Sequence, residues 1–166
     1  MLVVADASPL IFLGRLGLLD LLPNLYGRVL VPEAVFREAT RGGENLPGST
    51  AIRVADWIEV VPGESDPDLR QALEEHLDKG EAAAIALAQS VEADLLLIDE
   101  RQGRRLARRM GLSVKGTLGV LVSARRDGLL SELKPILDRL PHEGAWITEH
   151  LVRAALESVG EHQEED

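Results

Sequence analysis

Four carboxylates stand where they could do chemistry together. The apolar run Leu95-Leu96-Leu97-Ile98 stops at Asp99, and Leu2-Val3-Val4-Ala5 stops at Asp6. In open α/β sheets, ligands bind just beyond the carboxyl ends of the strands, where both acids are expected. Glu81 opens an Ala-rich segment that enters the sheet at the same edge. Glu38 lies in Glu33–Ala39 and reaches that edge if its helix lies beside the first strand. Carboxylates gathered without Lys or Arg between them repel one another, so the grouping is costly unless a cation sits among them. Oxygen-only donors select hard ions, here Mg²⁺ or Mn²⁺. Such an ion lowers the pKa of a bound water and stabilises charge growing on a phosphate. The chain has no Cys, and His76, His142, His150 and His162 are scattered, which argues against zinc.

Each acid also has a local explanation. Asp6 and Asp99 suit helix N-caps. Glu81 suits the third helical position of a capping box begun by Asp78. Glu38 suits an exposed site near the end of its helix, although a carboxylate there opposes the dipole. The shared placement of the four is what favours a metal pocket.

The elements that would position them alternate. Leu2–Ala5, Val29–Val31, Trp57–Val61, Asp94–Ile98 and Leu112–Val114 read as strands, short and mostly without apolar alternation. Trp57–Val61 is expected at a sheet edge. Ser8 as N-cap and Pro9 as first helical residue predict a helix through Leu10–Leu13. Further helices are expected at about Leu16–Leu22, Glu33–Ala39, Thr50–Ala55, Pro67–Leu77, Ala82–Ala88, Glu100–Met110, Thr117–Arg126, Ser131–Leu140 and Thr148–Val159. Residues 40–48 read as a flexible loop. The alternation predicts an α/β protein, a mostly parallel sheet with helices on both faces. One domain is expected over residues 1–160, with 161–166 as a disordered acidic tail.

A hydrophobic fraction of 45% in 166 residues is enough for a real core, which excludes a disordered chain. Aromatics make up only 3%, so Leu, Val, Ile and Ala must fill that core. No apolar run approaches the roughly 18 residues needed to span a bilayer. A soluble cytoplasmic protein with no membrane partner is expected. The net charge of −10 argues against broad electrostatic binding of nucleic acid. Yet residues 101–126 carry eight Lys or Arg and no Asp or Glu. This block reads either as a solvated helix face or as a phosphate-facing patch.

The same residues resemble a known family. Asp6-Ala7-Ser8-Pro9-Leu10-Ile11 resembles the opening motif of PIN domains. Val31-Pro32-x-x-Val35-x-x-Glu38 resembles their second acidic element, Gly80-Glu81-Ala82-x-Ala84-Ile85 the third, and Leu97-Ile98-Asp99-Glu100-x-x-x-Arg104 the fourth. Lys115-Gly116-Thr117-Leu118-Gly119-Val120-Leu121 is similar to a further signature of an uncharacterised PIN-like branch close to the VapC-type toxins. The resemblance implies a three-layer α/β/α sandwich and an Mg²⁺- or Mn²⁺-dependent ribonuclease. It implies Asp6, Glu38, Glu81 and Asp99 as catalytic acids, with Asp6, Glu81 and Asp99 on the metal. It implies Ser8, and with it Thr117, as supporting residues. The chain departs from the common pattern at Glu81, where many relatives have Asp, and at Leu97-Ile98-Asp99, where many have T-x-D.

On this reading Arg101, Arg104 and Lys115 hold the RNA backbone, a contact that positions without selecting bases. The scarcity of aromatics predicts a structured RNA rather than an arbitrary single strand. A small antitoxin protein and a second copy of the chain are the protein partners considered. Two other classes compete: a catalytically silent PIN-like binding module, and a phosphoacceptor receiver domain drawing on Lys115. The receiver wants paired acids after the first strand, where this chain has Asp6 alone. The stripe Leu129, Leu130, Leu133, Ile136, Leu137, Leu140 is expected to be core rather than interface.

Overall fold

The computed structural model describes residues 1–41 and 48–162, so most of the predicted 40–48 loop and the last four residues of the predicted tail lie outside the described residues. Among the described residues five short strands form one sheet: β1 (Val3–Ala5), β2 (Val29–Pro32), β3 (Ile58–Val61), β4 (Leu95–Leu97) and β5 (Val114–Lys115). Their spatial order is β3-β2-β1-β4-β5, and every pairing is parallel. The register sets Val3 beside Val29 and Leu95, and Ala5 beside Leu97. β3 is an edge strand, as its weak alternation predicts. The chain leaves β1 at the sheet's centre, between β2 and β4, and this is the point where the strand order reverses. Receiver domains order their strands 2-1-3-4-5, which this sheet does not.

Ten helices surround the sheet among the described residues: α1 (Ala7–Arg15), α2 (Leu21–Tyr26), α3 (Glu33–Thr40), α4 (Ser49–Val54), α5 (Pro67–Leu73), α6 (Lys79–Ser90), α7 (Arg101–Arg109), α8 (Thr117–Arg126), α9 (Lys134–Arg139) and α10 (Glu149–Ser158). A 3-10 turn, Leu140–Glu143, follows α9. The three-layer α/β/α arrangement is the one expected. The central strands β1 and β4 are apolar without alternation because both sheet faces are covered. Val3, Val4, Leu96 and Leu97 have no exposed surface. α6 lies close against the sheet because its inner positions are small, with Ala82, Ala84 and Ala88 fully buried. The stripe after Asp127 is core at Leu133, Leu137 and Leu140, with Leu129 exposed beside it.

Two prolines sit differently from the expectation. α1 starts at Ala7 with Asp6 as its N-cap, so Pro9 is the third helical residue rather than the first. α2 runs through Pro23 rather than stopping there, since Pro23 is likewise its third residue. The first four N–H groups of a helix have no partner within it, so a proline there loses nothing. α5 is shorter than predicted and ends at Leu73. Glu161, the first residue of the expected tail, is engaged. Its carboxylate accepts from the Leu133 and Lys134 N–H groups and from Arg125 Nε at 3.2 Å.

Candidate active site

The carboxyl ends of β1 and β4 lie side by side. The Asp6 N–H donates to the Leu97 carbonyl at 2.8 Å, which fixes Asp6 against the end of β4, two residues before Asp99. Asp6 is buried, with 4% of its surface exposed, and makes no side-chain cap of α1. α3 packs on α6 and brings Glu38 to the same edge. The meeting point is Gly80, in the first turn of α6. A Cβ there would stand 2.6 Å from Glu38 Oε2, 3.6 Å from Asp78 Oδ1 and 3.7 Å from Asp6 Oδ1. Three carboxylates from three separate elements therefore crowd over one bare Cα.

Their electrostatics follow from that crowding. Burial first, against a lowering bond from the Ala7 N–H and with repulsion from Glu81, Asp78 and Glu38, brings the Asp6 carboxyl up to about 7. Burial also pushes Glu81 up to about 7, with Asp78 and Glu100 adding repulsion. Glu38 is raised by burial and by Asp78, and partly offset by Arg41. Like charges and desolvation both favour the neutral acid. Asp78 and Glu100 are thus members of the cluster that sequence reasoning missed. Asp78 was visible only as the capping partner of Glu81, and Glu100 only as the neighbour of Asp99.

Of the local explanations, the capping box of Asp78 and Glu81 holds, and Asp99 as an N-cap does not. The Glu81 N–H donates to Asp78 Oδ1 at 2.8 Å, and the Asp78 N–H donates to Glu81 Oε2 at 3.3 Å, a complete capping box. Glu100, not Asp99, caps α7, accepting from the Gly103 N–H at 2.7 Å. That frees Asp99 to turn the other way. Its Oδ1 accepts from the Thr117 N–H and its Oδ2 from the Thr117 hydroxyl, each at 2.7 Å. Gly116 makes this possible, since a Cβ there would stand 2.8 Å from Asp99 Oδ1. Thr117 is buried and pinned in the first turn of α8. Ser8 is half-buried in the first turn of α1, next to Asp6 in sequence.

The basic block divides. Arg104 and Lys115 line the same cleft as Asp99, a cavity of about 580 Å³. Lys115 Nζ donates to Ser123 Oγ at 2.8 Å, and Arg104 Nε is buried without a partner among the described residues. Arg125 pairs with Glu161. Arg101, Arg105, Arg108 and Arg109 are exposed on α7, as a solvated face would be. Arg101 is not in the wall of the cleft.

Among the described residues, no group of three or more His, Asp or Glu side chains is already arranged to hold a metal ion. Glu81 is turned into its capping box and Asp99 onto Thr117. The donor set fits a hard cation in kind. Every candidate ligand is a carboxylate oxygen, and the acids around Gly80 carry a repulsion that a divalent ion relieves. Among the described residues no helix is long and apolar enough to cross a membrane.

A family model described as DUF3368, a PIN domain, matches residues 2–161. No curated protein sequence matches the chain.

Proposed function

Because the chain belongs to the PIN domain family, a fold that is generally a metal-dependent nuclease, we propose that it is an endoribonuclease hydrolysing RNA phosphodiesters with Mg²⁺ or Mn²⁺. The observation that carries this reading is the crowding of Asp6, Glu38 and Asp78 over Gly80 beside the end of β4. Asp6, Glu81 and Asp99 would hold the ion, with Glu38 completing the set or orienting water. When bound, the ion supplies a water of lowered pKa and offsets charge on the phosphate.

The chain's own side chains do the rest. Thr117 grips both oxygens of Asp99 and fixes the direction its carboxylate faces. Without the ion Asp6 and Glu81 sit near 7, so at neutral pH binding of the cation would displace protons from them. Arg104 and Lys115 offer N–H donors to phosphate oxygens from the cleft wall. The proposed setting is the toxin of a toxin–antitoxin pair in the cytoplasm, supported by family membership and by the Lys115–Leu121 signature, with a small antitoxin as partner. A small DNA-binding protein encoded in the adjacent reading frame is the observation expected on that view.

The test is Mn²⁺-stimulated cleavage of a defined RNA. Asp6→Asn and Asp99→Asn abolish it while leaving the fold intact, and wild-type-like cleavage by both variants rules the site out. A second reading, a silent binding module, has one observation in its favour: Glu81 is committed to its capping box and the acids are not closed around a point. Metal binding without cleavage across varied RNAs would select it.

A further inference from the structure

The cleft beside Asp99 has a second character that the nuclease reading leaves unused. Its wall is charged at Asp99, Arg104 and Lys115 and apolar at residues such as Val122, Leu140 and Ile147. We propose that it is a nucleotide subsite, in which an unpaired RNA base stacks on the indole of Trp146 while the adjoining phosphate meets Arg104 and Lys115. The proposal rests on the ribonuclease reading and adds to it the form of substrate taken.

Trp146 is the anomaly that points there. Of the five aromatic side chains in the protein, Phe12, Tyr26, Phe36 and Trp57 pack against the core. Trp146 does not, and 96% of its surface is exposed at the wall of the cleft. An exposed indole offers a broad apolar face with a polar edge, the kind of side chain enriched where surfaces meet partners. Its loop is also held in place. Arg15 Nη1 donates to the Glu143 carbonyl at 2.9 Å. Gly144 takes the left-handed conformation at φ 93°, and the Ala145 N–H returns to the Leu140 carbonyl at 3.1 Å. Thr148 then caps α10 through the Leu151 N–H. The ring is therefore presented on a short segment fastened at both ends.

Charge selects the occupant. In a protein of net charge −10, neither Arg104 nor Lys115 has an acidic partner within ion-pairing distance among the described residues. Arg104 Nε is buried without an acceptor, and Lys115 spends one of its three N–H donors on Ser123. Two cations without acidic partners, in one cleft with an apolar wall and an indole, match a phosphate joined to a base. Asp99 ties the cleft to the candidate acids, since it lines the wall and follows the strand that neighbours β1. Aromatic stacking accepts any base with a free π-face. The expectation of a structured RNA rested on how few aromatics there are. The position of one of them favours an unpaired nucleotide instead.

The test is a fluorescence titration of the Trp57→Phe protein, in which Trp146 is the sole tryptophan, with chelator present so that nothing is cleaved. The probes are a short single-stranded RNA, an abasic ribose-phosphate oligomer of equal length, and a duplex of the same sequence. The expected result is quenching by the single strand and not by the abasic oligomer or the duplex. Trp146→Ala weakens single-strand binding by about fivefold or more, and Trp146→Phe largely restores it. Equal affinity for RNA and abasic oligomer, or no loss in Trp146→Ala, overturns the proposal. So does a concentration-dependent dimer that Trp146→Ala abolishes, which assigns the indole to self-contact. Mn²⁺-dependent cleavage with an unchanged KM in Trp146→Ala sinks the subsite and spares the nuclease. Base-dependent quenching with no cleavage in Mg²⁺ or Mn²⁺ does the reverse.

Discussion

Replacing Asp6 by Asn should make the metal-free protein more stable at pH 8, although it removes a residue proposed to be essential. The Asp6 carboxyl is raised from 3.8 to about 7, first by burial and then by the acids around it. Between those values the folded protein keeps a proton that the unfolded chain has released. Stability therefore falls as pH rises through this window and levels off above it. A shift of about 3 units at about 1.4 kcal/mol per unit sets an upper bound of about 4 kcal/mol on the cost of ionised Asp6. Asn has nearly the same shape and no charge, so it relieves that cost. For a domain of this size, each kcal/mol moves Tm by about 2–4 °C. The assay is thermal unfolding followed by circular dichroism in chelator, for wild type and Asp6→Asn, from pH 4 to pH 8. The variant should gain several degrees at pH 8 and nearly nothing at pH 4. A variant less stable than wild type at pH 8, or a difference independent of pH, would refute the electrostatic reasoning.

Three other outcomes are expected. Thr117→Val leaves Asp99 Oδ2 without its hydroxyl donor; it should cost about 1–2 kcal/mol in a denaturant titration and lower kcat with the fold retained. Gly80→Ala favours the helix by about 1 kcal/mol intrinsically, but its methyl must displace Glu38 Oε2. Calorimetry should show weakened Mn²⁺ binding, and unchanged affinity would mean that the crowding over Gly80 has no role. Lys115→Ala should weaken RNA binding across sequences and reduce the salt slope of log affinity by about 0.7, one single-strand phosphate contact, in a filter-binding series.

Much of the sheet was legible because parallel strands buried on both faces must be uniformly apolar, as Val3–Ala5 and Leu95–Leu97 are. An acid at the end of such a run stands out, so Asp6 and Asp99 were visible as strand-end residues. What they face was not. Asp99 turns to Thr117 because Gly116 leaves room, and Glu100 takes the capping position instead, a choice made by packing rather than by spacing. In one dimension Asp78 reads as a local cap and Glu100 as the first residue of a helix. The repulsion between Glu100 and Glu81 exists only once α6 lies against the sheet beside the end of β4. Pro9 and Pro23 misled in the opposite sense, because a proline is tolerated throughout the first helical turn. Trp146 carried no pattern at all. Its loop separates a 3-10 turn from α10, and only the folded chain sets it in one cleft with Arg104 and Lys115.

The claim beneath all of this is that acids from β1, α3, α6 and β4 share one divalent cation. Anomalous scattering from a crystal of the protein soaked in Mn²⁺ tests it most directly. The account predicts a manganese peak at the carboxyl edge of the sheet, coordinated by Asp6 together with Glu81 or Asp99. A crystal with no manganese at that edge, or with it bound only elsewhere on the acidic surface, contradicts it.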